Sequence, residues 1–142
     1  MISCESKIRA LAMLDPALVA DLGPPDAFRF FDRRLPQGQL TAANACVVAQ
    51  RVSTIIPYNQ GGITPLTQIR IQIAVLSQNA ENARRIAADV KAFFASVTLC
   101  ATERSAPNFL LNQRADVLPQ LEPLVYREIL DYRVWNREDL PN

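Results

Sequence analysis

From Leu66 to Val75 apolar and polar positions alternate: Ile69, Ile71, Ile73 and Val75 take one set, and Gln68, Arg70, Gln72 and Ala74 the other. A period of two with β-branched residues on one face predicts a half-buried strand. Beyond a short polar break the period changes. Between Asn79 and Val97, residues Ala83, Ile86, Ala87, Val90, Phe93, Phe94 and Val97 fall on one helical stripe. Arg84, Arg85, Asp89, Lys91 and Ser96 are left for the wet side. Asn79 or Ser77 can cap this helix, and Glu81 suits its first turn.

The same reading applied in order predicts an N-terminal helix within Ile2 to Leu14, with Ser3 or Ser6 as cap. Asp15-Pro16 breaks it and opens a short second helix over Pro16 to Leu22, stopped by Gly23. Ala27 to Asp32 reads as a short strand, and Pro36 to Asn44 as loop. Cys46 to Ser53 is a second strand, apolar enough at its start to be central. Ile55 to Pro65 is too long for a tight turn between two strands expected to pair antiparallel, so an extended hairpin or projecting loop is expected there. Thr98 to Pro107 reads as a linker and Asn108 to Val117 as a strand. Leu124 to Trp135 is a long closing strand whose alternation is broken by Glu128, on the parity of Tyr126, Leu130 and Tyr132; a bulge or a two-sided interface accounts for it. Asn136 to Asn142 is a polar tail. Helix, strands, helix, strands is the order of an α+β domain: one mostly antiparallel sheet, with the N-terminal helix and the long helix packed on a single face. Residues 1–142 read as one such domain.

Composition narrows the function classes. Apolar residues make up 49% and charged residues 20%, a globular balance. A formal net charge of +1, from 15 basic and 14 acidic residues, argues against a dedicated nucleic-acid or anionic-membrane binder. No run is long enough to span a membrane. Cys4, Cys46 and Cys100 are widely spaced and odd in number, which suits small reduced hydrophobes of a cytoplasm better than disulfides or a zinc site. Histidine is absent, removing the commonest general base and metal ligand. Gly61-Gly62 is a loop pair and not a phosphate-binding motif, and the carboxylates lack the spacing of a calcium loop. No enzymatic activity, metal or cofactor is expected.

Three groups of residues invite an interaction reading. Gln68, Arg70 and Gln72 form a polar sheet face, either merely solvated or facing a channel or a partner. Tyr58, Asn59, Gln60, Gly61 and Gly62 lie on the long loop, where tyrosine suits a protein contact. Tyr126, Tyr132 and Trp135 are ordinary core residues unless the last strand lies at a sheet edge and pairs with a neighbour. Arg29, Arg33 and Arg34 are interleaved with Asp26 and Asp32, which makes a mixed surface more than a phosphate site.

In its order of pieces the chain resembles the small phage proteins of the tail-terminator and head–tail joining group. The pieces are the helix around Lys7-Ile8-Arg9-Ala10-Leu11, then Leu35-Pro36, the strand end Gln50-Arg51-Val52-Ser53, the Gly61-Gly62 loop, the helix start Asn79-Ala80-Glu81-Asn82-Ala83-Arg84, and Tyr126 to Trp135. The proline-bearing loop at Ile56 to Pro65 and the Thr98 to Pro107 linker depart from the pattern, which leaves tail terminator, tail completion protein and head-side adaptor open. The resemblance implies a structural virion protein assembled in the host bacterial cytoplasm. It implies a homo-oligomeric ring, usually of six copies, on the head-proximal end of a tail. Such a ring ends tail-tube polymerisation and docks to a head connector, with DNA only as cargo in its channel. On that reading Gln68, Arg70 and Gln72 face the channel or a neighbouring subunit, and the Tyr58–Gly62 loop touches tube or connector. A small nucleic-acid- or ligand-binding module is the rival.

Overall fold

The structure is a computed structural model that describes residues 4–35, 40–41, 44–55, 58–59, 62–63, 66–96, 109–118 and 124–137. Helix α1 (Cys4–Ala12) leads into α2 (Pro16–Leu22) and a single 3-10 turn at Pro25–Ala27. The Asp15 carboxylate accepts from the Ala17 and Leu18 amides, and Pro16 occupies the first turn of α2, where its missing N–H costs nothing. Gly23 closes α2 at φ 103°; a Cβ there would come within 2.9 Å of the Ala27 carbonyl oxygen.

Strands follow: β1 (Phe30–Asp32), β2 (Cys46–Ile55), the small pair β3 (Tyr58–Asn59) and β4 (Gly62–Ile63), and β5 (Leu66–Ser77). Then come α3 (Ala80–Ser96), β6 (Phe109–Leu118) and β7 (Val125–Arg137). The main sheet has the order β1-β2-β5-β7-β6. β1 runs parallel to β2, and the other three pairings are antiparallel. This is the expected α+β fold. The expected strand at Ala27 is shorter, because Pro25 and Asp26 build the 3-10 turn first. Asn136 and Arg137, expected in the tail, continue β7 instead, paired with Thr67 and Leu66.

Ile69, Ile71, Ile73 and Val75 of β5 are fully buried. They share one sheet face with Val47 and Ala49 of β2 and with Leu130, Tyr132 and Val134 of β7. On that face α1 lies over β1 and β2, and α3 over β5 and β7, while α2 packs on α3. Ile8, Leu18, Leu22, Ile86, Val90, Phe93 and Phe94 complete the core cluster. Each such side chain contributes about 1.5–3 kcal/mol by leaving water. Asn79 caps α3 by accepting from the Asn82 amide, and Ser77 braces the turn by accepting from the Asn79 amide. Ser6 is no cap: it lies inside α1 and donates to Asp32 at 3.4 Å. Arg29 donates to the Ala45 and Asp21 carbonyl oxygens, so it braces the fold and is no part of a cationic cluster.

The loop expected between β2 and β5 is an extended hairpin: β3 and β4 pair antiparallel, Tyr58 with Ile63 and Asn59 with Gly62. Gln60 and Gly61 lie outside the described residues, as does the Thr98 to Pro107 linker.

Candidate interaction surfaces

The polar positions of β5 occupy the sheet face turned away from the helices. In register, Arg70 sits between Ser53 of β2 and Arg133 of β7, and Gln72 between Gln50 and Asp131. Arg70 is exposed and Gln68 and Gln72 are half-buried, so none of the three belongs to the core. Arg70 stands 3.6 Å from the Asp131 carboxylate, whose residue is only 4% exposed. A carboxylate so far out of water needs a cation beside it, and Arg70 is held on this strip for that reason. Gln50, Val52 and Ser53 lie exposed alongside. The face is not polar throughout: Cys46, Val125 and Ile129 on it are buried. Its open part lies toward the end of β5 that joins the β3–β4 hairpin. Thus Gln68, Arg70 and Gln72 share one surface, and the backbone of Tyr58, Asn59 and Gly62 stands at its end.

The third group is placed differently from the edge-strand expectation. β7 is not an edge: β5 pairs along one side and β6 along the other. Tyr132 is core, 4% exposed and stacked on Phe94 with ring centroids 4.3 Å apart. Burial pushes its phenol up to about 12. Tyr126 is half-buried, and Trp135 occupies the register position opposite Gln68. Alternation marked β7 as a long half-apolar strand, but a neighbour on each side is a matter of topology.

Among the described residues the long outer edge of the sheet belongs to β6, which its alternation alone does not reveal. From Leu110 to Leu118 only Asp116 and Leu118 are half-buried; the rest, including Leu110, Leu111 and Val117, are exposed. A register shift between Leu110 and Asn112 puts a bulge at Leu111. Two side-chain ties hold the strand, one to β7 and one to α3. Arg127 grips Asp116 with two parallel bonds of 2.9 and 2.6 Å, which lowers the Asp116 carboxyl below its ordinary range, and Lys91 of α3 donates to Gln113 at 3.0 Å. No described strand pairs with β6 on its outer side, the arrangement that can template a further strand.

Beside β6 lies a groove of about 360 Å³ between the first turns of α3 and strands β6 and β7. Its lining is mixed: Ala80, Ala83, Ala115 and Val117 are apolar, and Arg84, Asp116, Tyr126, Arg127 and Glu128 bring polar groups. Glu128 is 8% exposed and lines this groove. Of the two accounts of its break in the β7 alternation, the bulge is not the one observed: Glu128 pairs in step with Val75 and Ala115, a strand on each side, and points to the helix side.

Cys46 is a buried free thiol raised by burial to about 11, which leaves almost no thiolate for chemistry at neutral pH. No group of three or more Cys, Asp or Glu gathers among the described residues, and no helix there is long and apolar enough to cross a membrane.

An α+β sheet covered by helices on one side, with an open polar strip on the other, defines a class of architecture and no activity. No protein-family model and no curated protein sequence matches the chain. Among solved structures the fold is similar to a chain in the virion of a native gene transfer agent particle. That likeness has a TM-score of 0.66 at 16% identity and covers 95% of each chain.

Proposed function

We propose that this chain is a structural protein of a phage-like virion, acting as a ring at the head-proximal end of a tail. There it ends tube polymerisation and presents a docking surface to the head. The observation that carries the reading is the fold likeness, over nearly the whole of both chains, to a component of a gene transfer agent virion. The order of sequence pieces that resembles tail-terminator and head–tail joining proteins agrees with it. In this role the chain performs no chemistry and needs no cofactor.

A closed ring requires two different surfaces on each subunit that meet heterologously. The strip of Gln68, Arg70 and Gln72 supplies one hydrated surface, facing the channel or a neighbour, and the β3–β4 hairpin next to it reaches the tube or the connector. The test is light scattering of the purified chain over a range of concentrations, alone and with tail-tube protein. A ring-sized species, alone or induced by the tube protein, supports the terminator role. Assembly only with the head connector assigns the chain to the head side as an adaptor. A monomer unmoved by every virion component overturns the proposal.

A further inference from the structure

Helix α1 carries two polar side chains one turn apart, Ser6 and Arg9, and both reach β1. Ser6 donates to the Asp32 carboxylate at 3.4 Å. Arg9 donates from Nε to the Phe30 carbonyl oxygen at 2.7 Å and from Nη2 to that of Phe28 at 3.4 Å. The helix therefore advances as the strand recedes, and α1 lies antiparallel along β1. The two carbonyls that Arg9 takes are not on the paired side of the strand. Arg29, between them, gives its carbonyl oxygen to the Val47 amide of β2 at 3.0 Å, so Phe28 and Phe30 in the same extended run point theirs away from β2. The next outward carbonyl, that of Asp32, accepts from the Arg34 amide at 3.0 Å, where Arg33 turns the chain back at φ 75°. Three successive outward acceptors of β1 are thus filled from within the chain. The guanidinium is fixed from the ring side as well: Arg9 Cζ lies 5.9 Å from the centre of the Phe28 ring, which stacks on Phe30.

We infer that Arg9 locks the β1 edge against strand addition, which makes α1 a strap that keeps a second copy of this chain from pairing there. β1 ends the main sheet, and a strand in that place offers its outward groups to any other strand. A second copy brings an identical edge, and two such edges related by a two-fold axis pair antiparallel and join two sheets into one. That pairing needs the outward carbonyls, and Arg9 holds two of the three. A guanidinium suits the task because it is a planar fork whose N–H groups serve both carbonyls at once, a span that the compact ammonium of a lysine does not cover. An incoming amide would also have to replace a charge-assisted bond with a neutral one, which is weaker. The lock sits on a different element from the strand it guards, so the edge opens when α1 lifts. It lies at the other end of the sheet from β6 and uses neither the Arg70 strip nor the β3–β4 hairpin, so it holds or fails separately from the ring reading.

The test compares the full-length chain with Arg9→Ala, using light scattering for association and hydrogen exchange across Phe28–Asp32 for its location. Near-ultraviolet circular dichroism checks the fold. Arg9→Ala should associate about tenfold more tightly than the native chain, with protection of Phe28–Asp32 that grows with concentration. Millimolar methylguanidinium supplies the missing donors and should reverse that association, whereas tetramethylammonium, a cation without N–H groups, should not. Arg9→Lys keeps the charge and the stem and should fall between the native chain and Arg9→Ala. Native-like association of a folded Arg9→Ala, association without protection of Phe28–Asp32, or no reversal by methylguanidinium would each overturn the inference. If neither variant folds, Arg9 is a folding residue and the inference fails. Protection of Phe28–Asp32 that grows with concentration in the native chain would also overturn it, because the edge would then be open with Arg9 in place.

Discussion

Asp21 shows how a single carboxyl can tune this fold. It lies between α2 and α3, with its side chain only 5% exposed and Arg85 at 2.9 Å. Burial, and then the Asp89 carboxylate beside it, raise it from 3.8 to about 6, and Arg85 offsets only part of that. Because the folded chain holds this proton more tightly than the unfolded one, the contribution is fully present below about pH 4. It is lost as pH rises through about 6. Melting temperatures of the native chain should therefore carry a falling component over that window that Asp21→Asn removes; an unchanged slope would contradict the assignment. Asp15 holds the start of α2, so Asp15→Ala should cost about 1 kcal/mol in urea unfolding. Phe94 lies between Phe93 and the Tyr132 ring, and Phe94→Ala should cost about 3–5 kcal/mol because three rings lose their packing together. At this scale the sequence was informative where partners are local. Asp15-Pro16 could be read as the break that opens α2, Gly23 as its stop, and Asn79 or Ser77 as the cap of α3, because each acts within a few residues. The roles of Asp21, Arg29 and Glu128 could not, because their surroundings come from distant parts of the chain.

Among the elements, β5 and α3 were legible from their periods, since each has to bury one face and each face is written in its own residues. β6 and β7 were legible as strands but not in their places. Both show broken alternation, β6 from its bulge at Leu111 and β7 from Glu128. Their order in the sheet separates their behaviour. β7 has ladders on both sides, so its amides should exchange only with global unfolding. β6 has one ladder, and its outward amides should exchange orders of magnitude faster. Hydrogen-exchange mass spectrometry resolves the two, and equal protection of both strands would mean that the β6 edge is already covered. The Asp116–Arg127 tie is partly exposed on both sides, and Arg127→Ala should cost no more than about 1 kcal/mol.

For the whole molecule, the decisive feature is a sheet with two unlike faces and, among the described residues, one long outer edge on β6. Helices cover one face, and a strip around Arg70 remains open on the other. If that strip works between subunits, a change at an exposed position on it should disturb assembly and not folding. Gln50→Arg, opposite Gln72, should shift stability by no more than about 0.5 kcal/mol while reducing the ring-sized species in light scattering; intact assembly would remove the strip from the interface. The sequence by itself determined the α+β class, most elements, the break and stop that bound α2, and the buried stripe of β5. All of these follow from neighbours a few residues apart. Only the tertiary structure decided that β7 is interior, that β6 is the edge, and that Glu128 opens into a groove beneath α3. Strand order joins segments distant in the chain, and a strand's own alternation is the same whether its neighbour is another strand or water.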